Sequence, residues 1–137
     1  MILVDTSVII GFFKGQTDNK TKLFEEILTH EIPFGISAYT YQEVLQGARN
    51  ENEYELLWSY LSTQAIYYLP EKASTYEQAA RLYFDLRRQG VTPRSTIDIL
   101  IALTAIENHL LLLHNDHDFD MMAAKVKDLR VFTSLPI

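Results

Sequence analysis

The chain has 137 residues, 47% of them apolar, with five glycines and four prolines; this fits one folded domain that buries its own core and excludes a disordered or fibrous chain. It has no cysteine, which excludes disulfides, thiolate zinc sites and a cysteine nucleophile, and permits a reducing cytoplasm. Eighteen acidic residues against twelve basic ones give a net charge of −6, which taken alone opposes nucleic-acid binding, although an acidic pocket that loads a metal cation inverts the local sign.

Ile2-Leu3-Val4 is an apolar run ending at Asp5 and reads as a buried strand. No basic n-region or cleavage site accompanies it, so no secretory signal is expected. Thr6 or Ser7 can cap a short helix that runs to about Lys14 and ends at Gly15. The segment from Asn19 to His30 reads helical, with Leu23, Phe24, Ile27 and Leu28 at core spacing. Phe34–Ser37 is a second strand, and a helical pair follows over Tyr39–Arg49 and Asn52–Ser62, broken near Asn50. Ala65–Leu69 is a third strand, closed by Pro70.

A helix from about Lys72 to Gln89 stops at Gly90, and Pro93 punctuates the loop after it. Ser95 caps a strongly apolar helix to about Asn108. Leu110–Leu113 and Arg130–Phe132 are the fourth and fifth strands. Short apolar strands alternating with helices predict an α/β three-layer sandwich, a mainly parallel sheet flanked by helices, in one domain over 1–137. The apolar stretches at 97–106 and 110–113 are too short or too interrupted to span a bilayer, so a soluble cytoplasmic protein with no membrane partner is expected.

Four acids stand out in this frame. Asp5 ends the first strand and Asp116 lies just past the fourth, where open parallel sheets gather their functional groups. Glu43 and Asp98 are each placed in the opening turn of a helix. Four converging carboxylates repel one another unless protons or a cation intervene. Mg2+ or Mn2+ prefers oxygen ligands and retains waters, and it lowers the pKa of a bound water opposite a phosphodiester. Carboxylates, waters and an anionic substrate together point to a metal-dependent phosphodiesterase.

Each acid also has a purely structural explanation. Thr40-Tyr41-Gln42-Glu43 matches a capping box, and Asp98 stands at the third position of a helix capped by Ser95. Asp5 can cap the first helix, and Asp116 and Asp118 can be turn residues, with Asp118 capping a helix that starts at Phe119. The combination weighs against four separate caps. Asp98 interrupts an apolar helix start, Ile97-Asp98-Ile99-Leu100-Ile101-Ala102, and a buried carboxylate there needs a partner or a metal.

At this point the chain resembles the PIN-domain ribonucleases, most closely the VapC-like toxins of bacterial and archaeal toxin–antitoxin modules. The likeness rests on Ile2-Leu3-Val4-Asp5-Thr6-Ser7, on Ser37-Ala38-Tyr39-Thr40-Tyr41-Gln42-Glu43-Val44, on Asp98-Ile99-Leu100-Ile101-Ala102, and on Leu112-Leu113-His114-Asn115-Asp116-His117-Asp118-Phe119. It covers essentially the whole chain and implies a PIN-like fold. It further implies RNA cleavage with Mg2+ or Mn2+ and a metal-activated water. By the same resemblance Asp5, Glu43, Asp98 and Asp116 hold the metal, Thr6 and Ser7 orient Asp5 or a bound water, and Asp118 is auxiliary or a cap. A homodimer and a small antitoxin that blocks the site are implied as partners. His114 stands where relatives often carry Thr or Ser; it is read as a plain strand-end residue, with contact to a scissile phosphate or leaving group as the other reading.

Candidate RNA contacts are Lys14, Arg49, Arg87, Arg88 and Arg94, each of which also fits solvated helix surface. Tyr39, Tyr41 and Phe13 can stack on unpaired bases, whereas Tyr76, Tyr83 and Phe84 read as core. Tyr54, Leu57, Trp58 and Leu61 form one stripe that suits core, a dimer face or a partner helix. A zinc site at His114, Asp116, His117 and Asp118 is disfavoured, because its ligands crowd one turn. Two rivals to the ribonuclease are a structure-specific DNA nuclease using the same acids, and a non-catalytic RNA- or protein-binding module of the same fold.

Overall fold

Ile2–Val4 forms β1, the middle strand of a five-stranded sheet in a computed structural model that describes residues 1–135. The strand is buried on both faces. Ile2 and Val4 join one apolar cluster and Leu3 the other, as the two-residue side-chain period of a strand requires. The remaining strands are β2 (Phe34–Ser37), β3 (Ala65–Tyr67), β4 (Leu111–Leu113) and β5 (Arg130–Val131). Their order is β3-β2-β1-β4-β5, and all four pairings are parallel.

Helices cover both faces, giving the expected three layers. On the side of Ile2, Val4 and Ile36 lie α1 (Thr6–Phe13), α2 (Asn19–Thr29), α3 (Ala38–Gln46) and α4 (Glu51–Leu61). On the side of Leu3 and Leu112 lie α5 (Ala73–Arg88), α6 (Thr96–Glu107) and α7 (His117–Ala123). Every residue of α6 from Ile99 to Ala105 is buried, which explains its nearly continuous apolar sequence. Ser95 caps it as expected, accepting from the Ile97 N–H, and Asn50 caps α4 where the helical pair breaks. Gly15 and Gly90 take positive φ of 74° and 83°, which stops α1 and α5 where the sequence predicts.

The chain lays β2 and β3 on one side of β1, then crosses to the other side for β4 and β5. The strand order therefore reverses between β1 and β4. Beyond the carboxyl ends of such a pair the outgoing loops part and leave a crevice for ligands. Asp5 and the segment from His114 to Asp116 begin there.

Several expectations need correction. Strand β3 ends at Tyr67 and α3 at Gln46, short of Leu69 and Arg49. Helix α7 starts at His117 with Asp116 as its cap, so Asp118 lies inside the first turn. Tyr76 and Phe84 are exposed, at 55% and 38%, because only one face of α5 packs inward. The stripe on α4 divides in the same way: Leu57 and Leu61 are core, while Tyr54 and Trp58 face outward.

Candidate functional site

Asp5 caps α1 at the end of β1, with extended backbone. Its N–H donates to the Leu113 carbonyl at 2.8 Å, which ties it to β4. Its Oδ2 accepts from the Ser7 N–H at 3.0 Å and from the Ser7 hydroxyl at 2.6 Å. Ser7 Oγ in turn accepts from the Asn115 N–H at 2.9 Å, so one serine joins the loops after β1 and β4. The other oxygen, Oδ1, is buried and finds no donor among the described residues. Burial raises the Asp5 carboxyl to about 6, against the pull of the Ser7 hydrogen bonds.

Glu43 reaches the site from the second turn of α3 rather than its opening turn, and it forms no capping box. Ser37, the last residue of β2, is the cap of that helix and accepts from the Thr40 N–H at 3.0 Å. Glu43 Oε1 instead accepts from the Thr6 hydroxyl at 2.7 Å. Thr6 and Thr40 oxygens are 3.1 Å apart, and Thr40 and Ser37 oxygens 3.2 Å. Each hydroxyl carries one proton, so the chain that satisfies all three runs from Ser37 to Thr40 to Thr6 to Glu43. Sequence reasoning assigned the cap to Thr40 and missed this relay, although a serine directly at a strand end was the available signal.

Asp98 projects from the first turn of α6 and is half-buried. Burial is the main cause of its carboxyl rising to about 7, followed by the charges of Asp5, Asp116, Glu43 and Asp118. Asp5 and Glu43 act on Asp98 through their charge and stand outside the close group that it forms with Asp116 and Asp118. Carboxylate oxygens of Asp98, Asp116 and Asp118 lie within 4.8 Å of one another. Asp116 Oδ1 accepts from the Asp118 N–H at 2.9 Å as the cap of α7.

Arg94 also enters this site. Its backbone N–H and its Nε both donate to Asp118 Oδ2 at 3.1 Å, and its Nη2 reaches Asp116 Oδ1 at 3.4 Å. The first of these bonds is the main reason the Asp118 carboxyl is lowered. The other basic candidates stand elsewhere. Arg87 and Arg88 are exposed at the end of α5, each with its guanidinium over Phe84, and Arg87 also over Tyr83. Lys14 and Arg49 flank a groove of about 710 Å³ walled by Ile10, Val44, Leu56 and Leu57, and Arg49 is paired with Glu53. None of the four acids lines that groove.

Chemically, the site offers hard oxygen donors held from four directions. A buried carboxylate oxygen without a hydrogen-bond donor, and a neighbouring carboxyl raised to about 7, both gain from a nearby cation. No sulfur ligand is present and the one buried imidazole, His114, is engaged elsewhere, so the donor set suits Mg2+ or Mn2+ better than Zn2+.

The PIN-domain family model matches residues 2–125. Ribonuclease VapC11 of Mycobacterium tuberculosis is 30% identical over 128 residues, which cover 90% of this chain and 92% of the relative. A chain of the VapBC-1 structure from nontypeable Haemophilus influenzae is similar at 25% identity with a TM-score of 0.67, covering 96% of this chain and 97% of that one. A chain of VapBC2 from Rickettsia felis, solved bound to a promoter DNA fragment, has a TM-score of 0.71 at 18% identity, covering 96% and 98%, a likeness of fold.

Proposed function

Since the chain belongs to the PIN-domain family, we propose that it is a metal-dependent endoribonuclease, the toxin of a toxin–antitoxin pair. The observation that carries this is the buried, donorless Asp5 Oδ1 among the charges of Glu43, Asp98 and Asp116. We read residues 1–137 as one domain and assign the metal to Asp5, Glu43, Asp98 and Asp116. Mg2+ is the expected ion, with Mn2+ able to replace it. When bound, such an ion supplies a water of lowered pKa and positive charge opposite the phosphodiester.

The protein's own groups do the positioning. Ser7 occupies Asp5 Oδ2 and leaves Oδ1 as the free donor. Thr6 fixes Glu43 Oε1 and leaves Oε2 free. Asp98 takes a proton near neutrality when no cation is near it and ionises when one is. Asp118 is auxiliary. RNA is the substrate, with Arg94 beside the acids and Arg87 and Arg88 exposed at the end of α5 as further candidate contacts. Lys14 and Arg49 are weaker candidates for RNA contact, since they line a groove that contains none of the four acids. A small antitoxin protein that blocks the site, a homodimer and a cytoplasmic location complete the proposal. In keeping with the last point, no helix among the described residues is long and apolar enough to cross a membrane.

The test is cleavage of a mixed RNA pool with Mg2+ or Mn2+ by the wild type, D5N and D98N. Metal-dependent cutting lost in both variants supports the assignment. Equal cutting by all three places the activity outside these acids. Cutting of branched DNA but not RNA converts the protein to a DNA nuclease, and absence of both metal binding and cutting leaves a binding module.

A further inference from the structure

Three acids lie together at the rim of the site, yet they are not equivalent. Asp118 accepts two hydrogen bonds from Arg94, whereas Asp98 accepts none among the described residues. The difference is Arg94. Both its main-chain N–H and its Nε converge on one oxygen, Asp118 Oδ2. Among the described residues, no other basic side chain pairs with Asp5, Glu43, Asp98, Asp116 or Asp118. Asp118 is therefore already matched with a cation, and Asp116 more loosely, while Asp5, Glu43 and Asp98 are not.

The same contact fixes where the guanidinium points. Arg94 directly precedes Ser95, the cap of the helix that carries Asp98, and Asp118 lies in the first turn of α7. Their pairing joins the starts of the two helices that supply Asp98 and Asp116. It holds the arginine side chain at its base, through Nε, and leaves the Arg94 side chain 77% exposed. Its Nη2 contact to Asp116 is long, at 3.4 Å. A guanidinium held in this way keeps N–H groups free in a planar fork, the geometry that matches phosphate oxygens.

We propose that Arg94 grips an RNA phosphate beside the metal-binding acids, and that Asp118 is the positioning residue for Arg94 rather than a metal ligand. This rests on the nuclease reading above and assigns one site residue a different task. It separates Asp116, whose one close bond is the capping bond from the Asp118 N–H, from Asp118, whose Oδ2 takes both bonds from Arg94, although both belong to one short Asp-x-Asp segment.

The experiment uses the full-length protein and two readouts, Mn2+ binding by calorimetry and anisotropy of a labelled single-stranded RNA. In calorimetry, D116N should lose at least about tenfold in Mn2+ affinity, D118N should stay within about threefold of wild type, and R94Q should bind as tightly or more so, because a nearby positive charge is gone. In anisotropy, R94Q should weaken RNA binding about tenfold, the worth of one charge-assisted contact. D118N should weaken it less, because asparagine keeps an acceptor for the Arg94 N–H, and D118A should approach R94Q. The double variant R94Q/D118A should be no worse than R94Q. An Mn2+ loss in D118N equal to that in D116N makes Asp118 a ligand and overturns the assignment. RNA binding unchanged in R94Q overturns it equally. Because both readouts work without turnover, a wild type that cuts no RNA counts against the nuclease reading and leaves this test intact.

Discussion

The backbone N–H of Asp116 donates to Nδ1 of His114 across 3.1 Å, so a buried imidazole sets the direction of an acid at the site. His114 is 1% exposed and packs on Phe119, with ring centroids 5.2 Å apart. Acceptance at Nδ1 puts the ring proton on Nε2, which lies 3.2 Å from Asp120 Oδ1 without hydrogen-bond alignment. Burial lowers the His114 pKa, which keeps the ring neutral and this acceptor in place.

His114 is thus more than a strand-end residue. H114N keeps an acceptor near the Nδ1 position, whereas H114L fills the space and orphans the Asp116 N–H. H114L is expected to cost about 1–3 kcal/mol in denaturant unfolding, and H114N less. Mn2+ calorimetry should rank wild type, H114N and H114L in falling affinity. Equal affinity in the two variants would mean that the hydrogen bond steadies the loop without aiming Asp116.

Thr6 gives a second handle on the site. Its hydroxyl is the donor to Glu43 Oε1 at 2.7 Å, and it receives the relay from Ser37 and Thr40. T6V keeps the shape and removes the donor, which should destabilise by about 1–3 kcal/mol and weaken Mn2+ binding, while T6S restores both. Thermal unfolding and metal titration of the pair would decide it. If T6S behaves like T6V, the methyl group and not the hydroxyl matters.

How much of this was legible depended on range along the chain. Asp5 was readable because three apolar residues make the strand and the next residue caps the helix, all within six positions. Glu43 was found by residue type, but its setting was misjudged, since Ser37 and Thr40 both satisfy capping rules. The pairing of Ser37 with Tyr67 across the sheet carries β2 through to Ser37 and leaves that residue as the cap. Arg94 and Asp118 are 24 residues apart and meet only because α6 and α7 start on one side of the crevice. No local pattern encodes such a meeting. Tyr76 and Phe84 were misplaced for a similar reason: helical spacing shows that a stripe exists, while tertiary packing decides which stripe turns inward.

The protonation of the site sets a sign for pH. Asp5 rises from 3.8 to about 6 by burial, and Asp98 from 3.8 to about 7 by burial and its acidic neighbours. Between about pH 4 and 7 the metal-free folded state therefore binds more protons than the unfolded chain. Stability contributed by these groups is complete below pH 4 and is lost as pH rises through 6 and 7. Asp5 alone accounts for on the order of 3 kcal/mol of this change. In chelator, the Tm should be higher at pH 5 than at pH 8. Mn2+ should reverse the trend, since it needs the ionised carboxylates and binds more tightly as pH rises through the same window. A Tm in chelator that climbs from pH 5 to 8 would show that the acids are already balanced by other charges.

Arg87 and Arg88 end α5 with their guanidiniums over the exposed Phe84, and Arg81 lies over the same ring at 5.3 Å. Cations in the last turn also complement the helix dipole, so their presence alone does not establish a substrate role. Salt dependence separates the two. If the pair contacts RNA phosphates, R87A/R88A weakens RNA binding across sequences and reduces the slope of log affinity against log salt by about 1 to 2. If it only caps α5, the slope stays at the wild-type value while unfolding stability falls by about 0.3–1 kcal/mol for each cation lost. Arg88 lies six residues before Arg94, so its Cα is within about 22 Å of that of the site arginine even along a fully extended chain. One strand of RNA reaching both is therefore feasible, and the slope of a triple variant that adds R94Q should fall by about one unit more.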